Sequence, residues 1–195
     1  MLRDFFERVR KANLSLKPRK CKIGLAEVGF LGHTLQKDTV GPQKETVGHI
    51  LEADHWPTKK KEIMYKSVRM INFYGRYIPN CAEIIAPLTE LTKGRSPNVE
   101  KWGDRWERAF KEVKQVLSNE PILKLPDLNR EFMLQTDASN QSLGGCLLQE
   151  YDGIKHPVFY ASRKLIQREH NYSGGEREAL MIISAVSNLH QYACG

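Results

Sequence analysis

The sequence predicts an α+β (mixed) fold, in which a helical region is followed by a small sheet of three antiparallel strands with one helix packed on it. Three observations predict it. Apolar residues recur at helical spacing up to about Leu117, the period changes to two beyond Pro121, and a capped helical pattern returns after Ser173.

The elements follow in order. Leu2, Phe5, Phe6, Val9 and Ala12 share one helical face while Arg3, Glu7, Arg10 and Lys11 fall elsewhere, so the chain opens with an amphipathic helix. Pro18 breaks that pattern within Lys17-Pro18-Arg19-Lys20. Gly24, Gly29 and Gly32 then punctuate short apolar pieces around Ile23, Val28, Phe30 and Leu31, which predicts a small hairpin and a turn. Val47, Ile50 and Leu51 mark a second helix that Trp56-Pro57 stops, because proline restricts the residue before it and cannot donate to the helix. A third follows Thr58, with Met64, Val68, Ile71 and Ile78 on one stripe and Lys59, Lys60 and Lys61 in its first turn. Those lysines oppose the helix dipole; they read either as available to phosphate or as a hydrated surface run. Ala82 to Leu91 predicts a short helix with Pro87 near its start or at a kink, and Arg95 to Asn98 a linker. Asp104 and Glu107 resemble a capping box ahead of Trp106, Phe110, Val113 and Leu117.

Beyond Pro121, Phe132, Leu134 and Thr136 alternate with Met133, Gln135 and Asp137. Leu143 to Glu150 and Ile154 to Ser162 supply two further strands, joined by the tight turn Asp152-Gly153. Ser173 with Glu176 at the box position caps the last helix, where Leu180, Ile183, Val186 and His190 run down one face. A three-stranded sheet with one helix buries only one face well, so the fold is expected to be cut short.

With 41% hydrophobic residues the chain can build one or two cores, and its net charge of +7 favours a polyanionic partner, a basic but inert surface being the alternative. The cysteines, Cys21, Cys81, Cys146 and Cys194, form no CxxC pair and lack zinc-ligand spacing with any histidine, which predicts reduced thiols. The first ten residues lack the apolar run of a secretory signal, and no segment approaches the roughly 20 apolar residues that span a bilayer. The expected location is therefore cytoplasmic or nuclear, not secreted, with no membrane partner.

A set of short pieces is colinear over nearly the whole chain: Leu16-Lys17-Pro18-Arg19-Lys20-Cys21, Val28-Gly29-Phe30-Leu31-Gly32-His33, Trp56-Pro57, Phe73-Tyr74, Ile78-Pro79-Asn80, Ala86-Pro87-Leu88-Thr89-Glu90-Leu91, Leu125-Pro126-Asp127, Thr136-Asp137-Ala138-Ser139, Tyr160-Ala161-Ser162-Arg163 and Asn171-Tyr172-Ser173. Together they resemble the Pol polyproteins of gypsy-type LTR retrotransposons. The resemblance implies that residues 1–40 end a reverse transcriptase palm, that 41–96 form a thumb-like helical region, and that 97–195 are the truncated N-terminal part of a ribonuclease H-like domain. Phe30, Leu31, Gly32 and His33 look like the primer-holding hairpin of such polymerases. Lys17, Arg19 and Lys20, with Lys59, Lys60 and Lys61, would suit contacts to the phosphate backbone of an RNA/DNA hybrid or DNA duplex, which position a duplex without reading its sequence.

Both reactions of that family are two-metal displacements that depend on clustered carboxylates, with Mg2+ as the expected ion. The Tyr-X-Asp-Asp turn of the polymerase is absent, and no two aspartates are adjacent anywhere in the chain. Asp137 and Glu178 match the first and second metal carboxylates of the nuclease; without the resemblance they read as a strand-end residue and a helix-surface charge. The later aspartates would follow Gly195, so Mg2+ is expected to bind weakly or not at all, polymerase activity to be lacking, and hybrid hydrolysis to be weak or lacking in the isolated chain. Met64-Tyr65-Lys66-Ser67-Val68-Arg69, Gly75 and Ser142 depart from the family pattern and are expected to disturb helix packing, as in a decaying copy. Two functions follow: a fragment of a reverse transcriptase and ribonuclease H, or a non-enzymatic nucleic-acid-binding remnant of a retroelement.

Overall fold

This computed structural model describes residues 2–54, 61–92 and 103–193, down to side chains except at 61–65 and 188–193. Two hydrophobic cores, each built against its own antiparallel sheet, organise the chain.

The chain opens with the amphipathic helix α1 (Leu2–Lys11), none of whose described residues is buried, and a 3-10 turn at Pro18–Lys20. The first sheet runs β1 (Glu27–Phe30), β2 (His33–Gln36), β3 (Thr39–Pro42) and β4 (Leu123–Lys124), in that order. The first three strands form a meander; β4 returns from far downstream and pairs Leu123 with Val40. Four helices follow β3: α2 (Lys44–Leu51), α3 (Lys61–Phe73), α4 (Cys81–Ile84) and α5 (Ala86–Glu90). They pack with α6 (Asp104–Ser118) around buried Val47, Ile71, Tyr74, Leu88, Phe110 and Leu117.

Several local expectations change here. α3 stops at Phe73 and gives way to a 3-10 turn, Gly75–Tyr77, so Ile78 enters the core from an extended backbone rather than from the helical stripe. The helix foreseen over residues 82–91 is two helices broken at Ile85, with Pro87 in the first turn of the second, where its missing N–H costs no hydrogen bond. Gly103, not Asp104, is the N-cap of α6, and no side-chain cap forms there. Trp56-Pro57, Lys59, Lys60 and Arg95 to Asn98 lie outside the described residues, and Lys61 is the first residue of α3.

The second sheet is β5 (Met133–Ala138), β6 (Ser142–Tyr151) and β7 (Ile154–Lys164), a meander in that order. Asp152 (φ 53°) and Gly153 (φ 78°) make the two-residue turn between β6 and β7. α7 (Gly174–Ala193) starts with the foreseen box: the Ser173 N–H donates to Glu176 Oε2 at 2.7 Å, and the Glu176 N–H donates to Ser173 Oγ at 3.4 Å. The helix meets the sheet through buried Met181 and Ala185, an i, i+4 pair, while Ile183 and Val186 are exposed. Gly145 makes this possible, because a Cβ there would approach Met181 Cε to 2.6 Å.

The opposite face of this sheet is also covered, by α4 and α5 of the first region. The Ala82 N–H donates to Ser162 Oγ at 2.9 Å, Ser142 Oγ donates to Glu83 Oε2 at 2.8 Å, and Lys164 Nζ donates to the Ala86 carbonyl at 3.0 Å and to Thr89 Oγ1 at 2.7 Å. The small sheet therefore solves its second-face problem by leaning on earlier helices. Two of the departures from the family pattern fit this packing: Ser142 is buried and hydrogen-bonded, and Gly75 sits where a Cβ would lie 3.3 Å from Cys81 Sγ. α6 and β4, which fall within residues 97–195, pack into the first core. No helix among the described residues is long and apolar enough to cross a membrane.

Candidate nucleic-acid interface

The β1–β2 connection is two residues long: Phe30 pairs with His33, and Leu31 (φ 49°) and Gly32 (φ 81°) make the turn. Two successive positive φ values are the type I′ geometry that matches the twist of a hairpin, and Asn-Gly or Asp-Gly normally supply it. Here a leucine supplies the first position. It is 75% exposed, and its neighbour Phe30 is 59% exposed. A leucine in the left-handed region costs about 1–2 kcal/mol of backbone energy, and it buries almost nothing in return.

The base of the same turn is held firmly. Gly32 presents its carbonyl to two donors, the Gln43 N–H at 3.0 Å and Tyr74 Oη at 2.9 Å. His33 stacks on Phe73 with ring centroids 4.9 Å apart, and its Nδ1 lies 2.9 Å from Tyr77 Oη. Burial, and then the nearby Arg76 guanidinium, hold His33 below its ordinary pKa, which favours the neutral imidazole; the tautomer sets which partner donates in its hydrogen bond with the tyrosine. Of the four hairpin residues, then, Phe30 and Leu31 project to solvent while Gly32 and His33 face the helices. Tyr74, Tyr77 and Arg76 were not among the sequence-derived candidates; the signal available was the Phe73-Tyr74 piece and a second tyrosine three residues on.

Lys17, Arg19 and Lys20 are all exposed, on or beside the 3-10 turn ahead of β1. They belong to a wider basic tract: residues 1–26 hold eight Lys or Arg against Asp4 and Glu7, a net +6 out of the chain's +7. Positive charge is thus concentrated at one end of the chain, ahead of the hairpin.

Asp137 and Glu178 are placed differently. Asp137 pairs with Gly144 and Thr136 with Gly145. Gly144 lies against the Asn80 amide, whereas Gly145 lies against Met181 of α7. Because side chains alternate across a strand, Asp137 falls on the face of Asn80 and α4, where it lines an open hollow with Asn80, Glu83, Arg105, Arg108 and Ser139. Glu178 is exposed on α7, which packs on the other face. Among the described residues no three of His, Cys, Asp or Glu are grouped so as to hold a metal ion. As they stand, these two acids do not fit a metal cage.

Cys21, Cys81 and Cys146 are free thiols, and burial pushes Cys81 up to about 12. Cys194 lies outside the described residues.

Residues 102–195 match the RNase H-like domain found in reverse transcriptase. The chain is also 36% identical over 190 residues to the Retrovirus-related Pol polyprotein from transposon 297 of Drosophila melanogaster, and 33% identical over 195 residues to that from transposon 412. Residues 102–195 are thus an RNase H-like domain of the kind found in reverse transcriptase, and the chain as a whole is similar to one segment of retrotransposon Pol polyproteins. The alignments cover 97% and 100% of this chain but only 17% and 15% of those polyproteins. Its fold is also found in foamy viral protease-reverse transcriptase. The form described as dRH in complex with ds DNA aligns with TM-score 0.80 and 22% identity, over 100% of this chain and 34% of that one. The form in complex with an RNA/DNA hybrid aligns with TM-score 0.76 and 23% identity, over 91% of this chain and 24% of that one.

Proposed function

We propose that this chain grips an RNA/DNA hybrid or DNA duplex for a reverse transcriptase and ribonuclease H, whose parent polyprotein carries out RNA-directed DNA synthesis and hybrid cleavage. The observation that carries the proposal is the hairpin tip. An exposed leucine in a left-handed turn is costly twice over, in backbone energy and in hydration, and such a cost is best explained by a surface that the tip meets. Leu31 and Phe30 supply apolar contact to sugars and base edges, and the basic tract through Lys17, Arg19 and Lys20 supplies phosphate contacts. The divisions at 1–40, 41–96 and 97–195 are assigned as the end of the palm, the thumb and the start of the ribonuclease H-like domain, with α6 and β4 of the last packed against the thumb.

A divalent ion, Mg2+ by the chemistry of the parent, would be held by Asp137 and Glu178 only if further acids joined them and the two came to one side of the sheet. No reaction step is assigned through it here. The isolated chain is accordingly expected to bind nucleic acid without extending a primer or cutting a hybrid.

The test is binding of a labelled RNA/DNA hybrid against salt. Neutralising Z phosphates gives a slope of log affinity on log salt of about −0.9Z, so three to five contacts predict roughly −3 to −4.5. A flat salt dependence, or release of labelled fragments in Mg2+ that Asp137→Asn abolishes, would contradict the proposal in its two parts.

A further inference from the structure

The hairpin is joined to the thumb helix by hydroxyl groups rather than by apolar packing alone, and this has a mechanical consequence. Tyr74 and Tyr77 are both fully buried at the end of α3 and in the turn that follows. Each directs its hydroxyl to one of the two residues that close the hairpin: Tyr74 Oη to the Gly32 carbonyl at 2.9 Å, and Tyr77 Oη to His33 Nδ1 at 2.9 Å. The Phe73 ring completes the seat by stacking on His33 at 15°, and a Cβ at Gly32 would lie 3.1 Å from that ring. A two-residue turn has no slack, so fixing Gly32 and His33 also fixes the direction in which Leu31 and Phe30 project.

We infer that Tyr77, seconded by Tyr74, is a positioning residue for the nucleic-acid grip: its hydroxyl locks the hairpin tip to the thumb, so that thumb and tip approach a duplex as one body. The tyrosines do not touch nucleic acid on this account; they act through His33 and Gly32. A buried tyrosine hydroxyl that has lost its partner is expensive, which favours the docked hairpin over one swung free. The inference rests on the proposed grip, since a tip with nothing to hold would need no such alignment.

The experiment measures affinity of the full chain for a 20-base-pair RNA/DNA hybrid against salt, well below the melting temperature, for the wild type, Tyr77→Phe, His33→Leu and the double variant, with thermal melts of each. Tyr77→Phe keeps the buried ring and removes only the hydroxyl. The inference predicts a three- to tenfold loss of hybrid affinity with an unchanged salt slope, because phosphate contacts are kept while the tip is misdirected. It also predicts that the double variant binds no worse than the weaker single variant, the signature of one shared interaction. His33→Asn, which still offers an acceptor to the Tyr77 hydroxyl, should recover most of the affinity that His33→Leu loses. A purely structural role would lower melting temperatures while leaving affinity at low temperature intact, and that result overturns the inference. Salt-dependent binding by the wild type with equal affinity for Tyr77→Phe also overturns it, while leaving the grip standing. Absence of salt-dependent binding by the wild type overturns the grip and the inference together.

Discussion

Among the described residues, two type I′ turns have nearly the same shape. Leu31-Gly32 turns β1 into β2 with φ values of 49° and 81°; Asp152-Gly153 turns β6 into β7 with 53° and 78°. At the second, sequence and geometry agree, since aspartate tolerates the left-handed region and glycine is at home there. At the first they disagree, and the residue that disagrees is apolar and exposed. The flanks differ as well. The Leu31-Gly32 turn is gripped at its base by Tyr74, Tyr77 and Phe73, whereas a Cβ at Gly153 would meet nothing within 4 Å. The comparison teaches that the Asp152 turn is shaped by local preference alone, while the Leu31 turn is held in place from outside and keeps a residue that folding would not select.

Exchanging residues between the turns should separate the two roles. The largest effect is expected for Leu31→Asn, which should weaken hybrid affinity about tenfold, or roughly 1.4 kcal/mol, by removing apolar contact at the tip. The same substitution should raise stability by about 1 kcal/mol, a gain of roughly 2–4 °C in melting temperature, because asparagine suits the first position of the turn. Asp152→Leu is expected to do the reverse, lowering the melting temperature by a similar 2–4 °C while leaving hybrid affinity within about twofold of wild type.

Smaller effects sharpen the account of the hairpin base and the acids. His33 is held below the ordinary histidine value of 6.5, so as pH falls through 6.5 the unfolded chain takes up this proton before the folded one does. His33 thus leaves stability intact above about pH 6.5 and lowers it progressively below, down to the folded pKa. Urea melts of wild type and His33→Gln between pH 7.5 and 5 should diverge in that direction. Least of all, 5 mM Mg2+ should change the melting temperature by no more than about 1 °C, since ligand linkage adds little when concentration does not exceed Kd. A rise of several degrees that Asp137→Asn removes would show that the two acids do meet around an ion.

Much of the fold was legible because it rests on period and punctuation. The β5–β7 meander, the Asp152-Gly153 turn and the Ser173–Glu176 cap are local features, and all three stand as read. What escaped depends on contacts distant in sequence. The two-residue β4 is a strand only because it pairs with β3 from far along the chain, and nothing local marks Leu123-Lys124 as the partner of Val40 and Thr39. The face of α7 was misjudged because Met181, seated against Gly145, and Ala185 turn to the sheet, while Ile183 and Val186 are exposed. At the candidate site the four hairpin residues were legible as a unit, but their division into an exposed pair and an anchored pair required the buried tyrosines of another element. Asp137 was legible only through family resemblance, and its face of the sheet follows from a register that the sequence does not state.

The most direct measurement is photocrosslinking from the two turns. With a benzophenone-bearing amino acid placed at position 31 in one protein and at position 152 in another, each irradiated with a radiolabelled RNA/DNA hybrid, the account predicts strong crosslinking from 31, competed away by salt, and background from 152. Equal crosslinking from both positions, or none from 31 under conditions where the hybrid is bound, would contradict it.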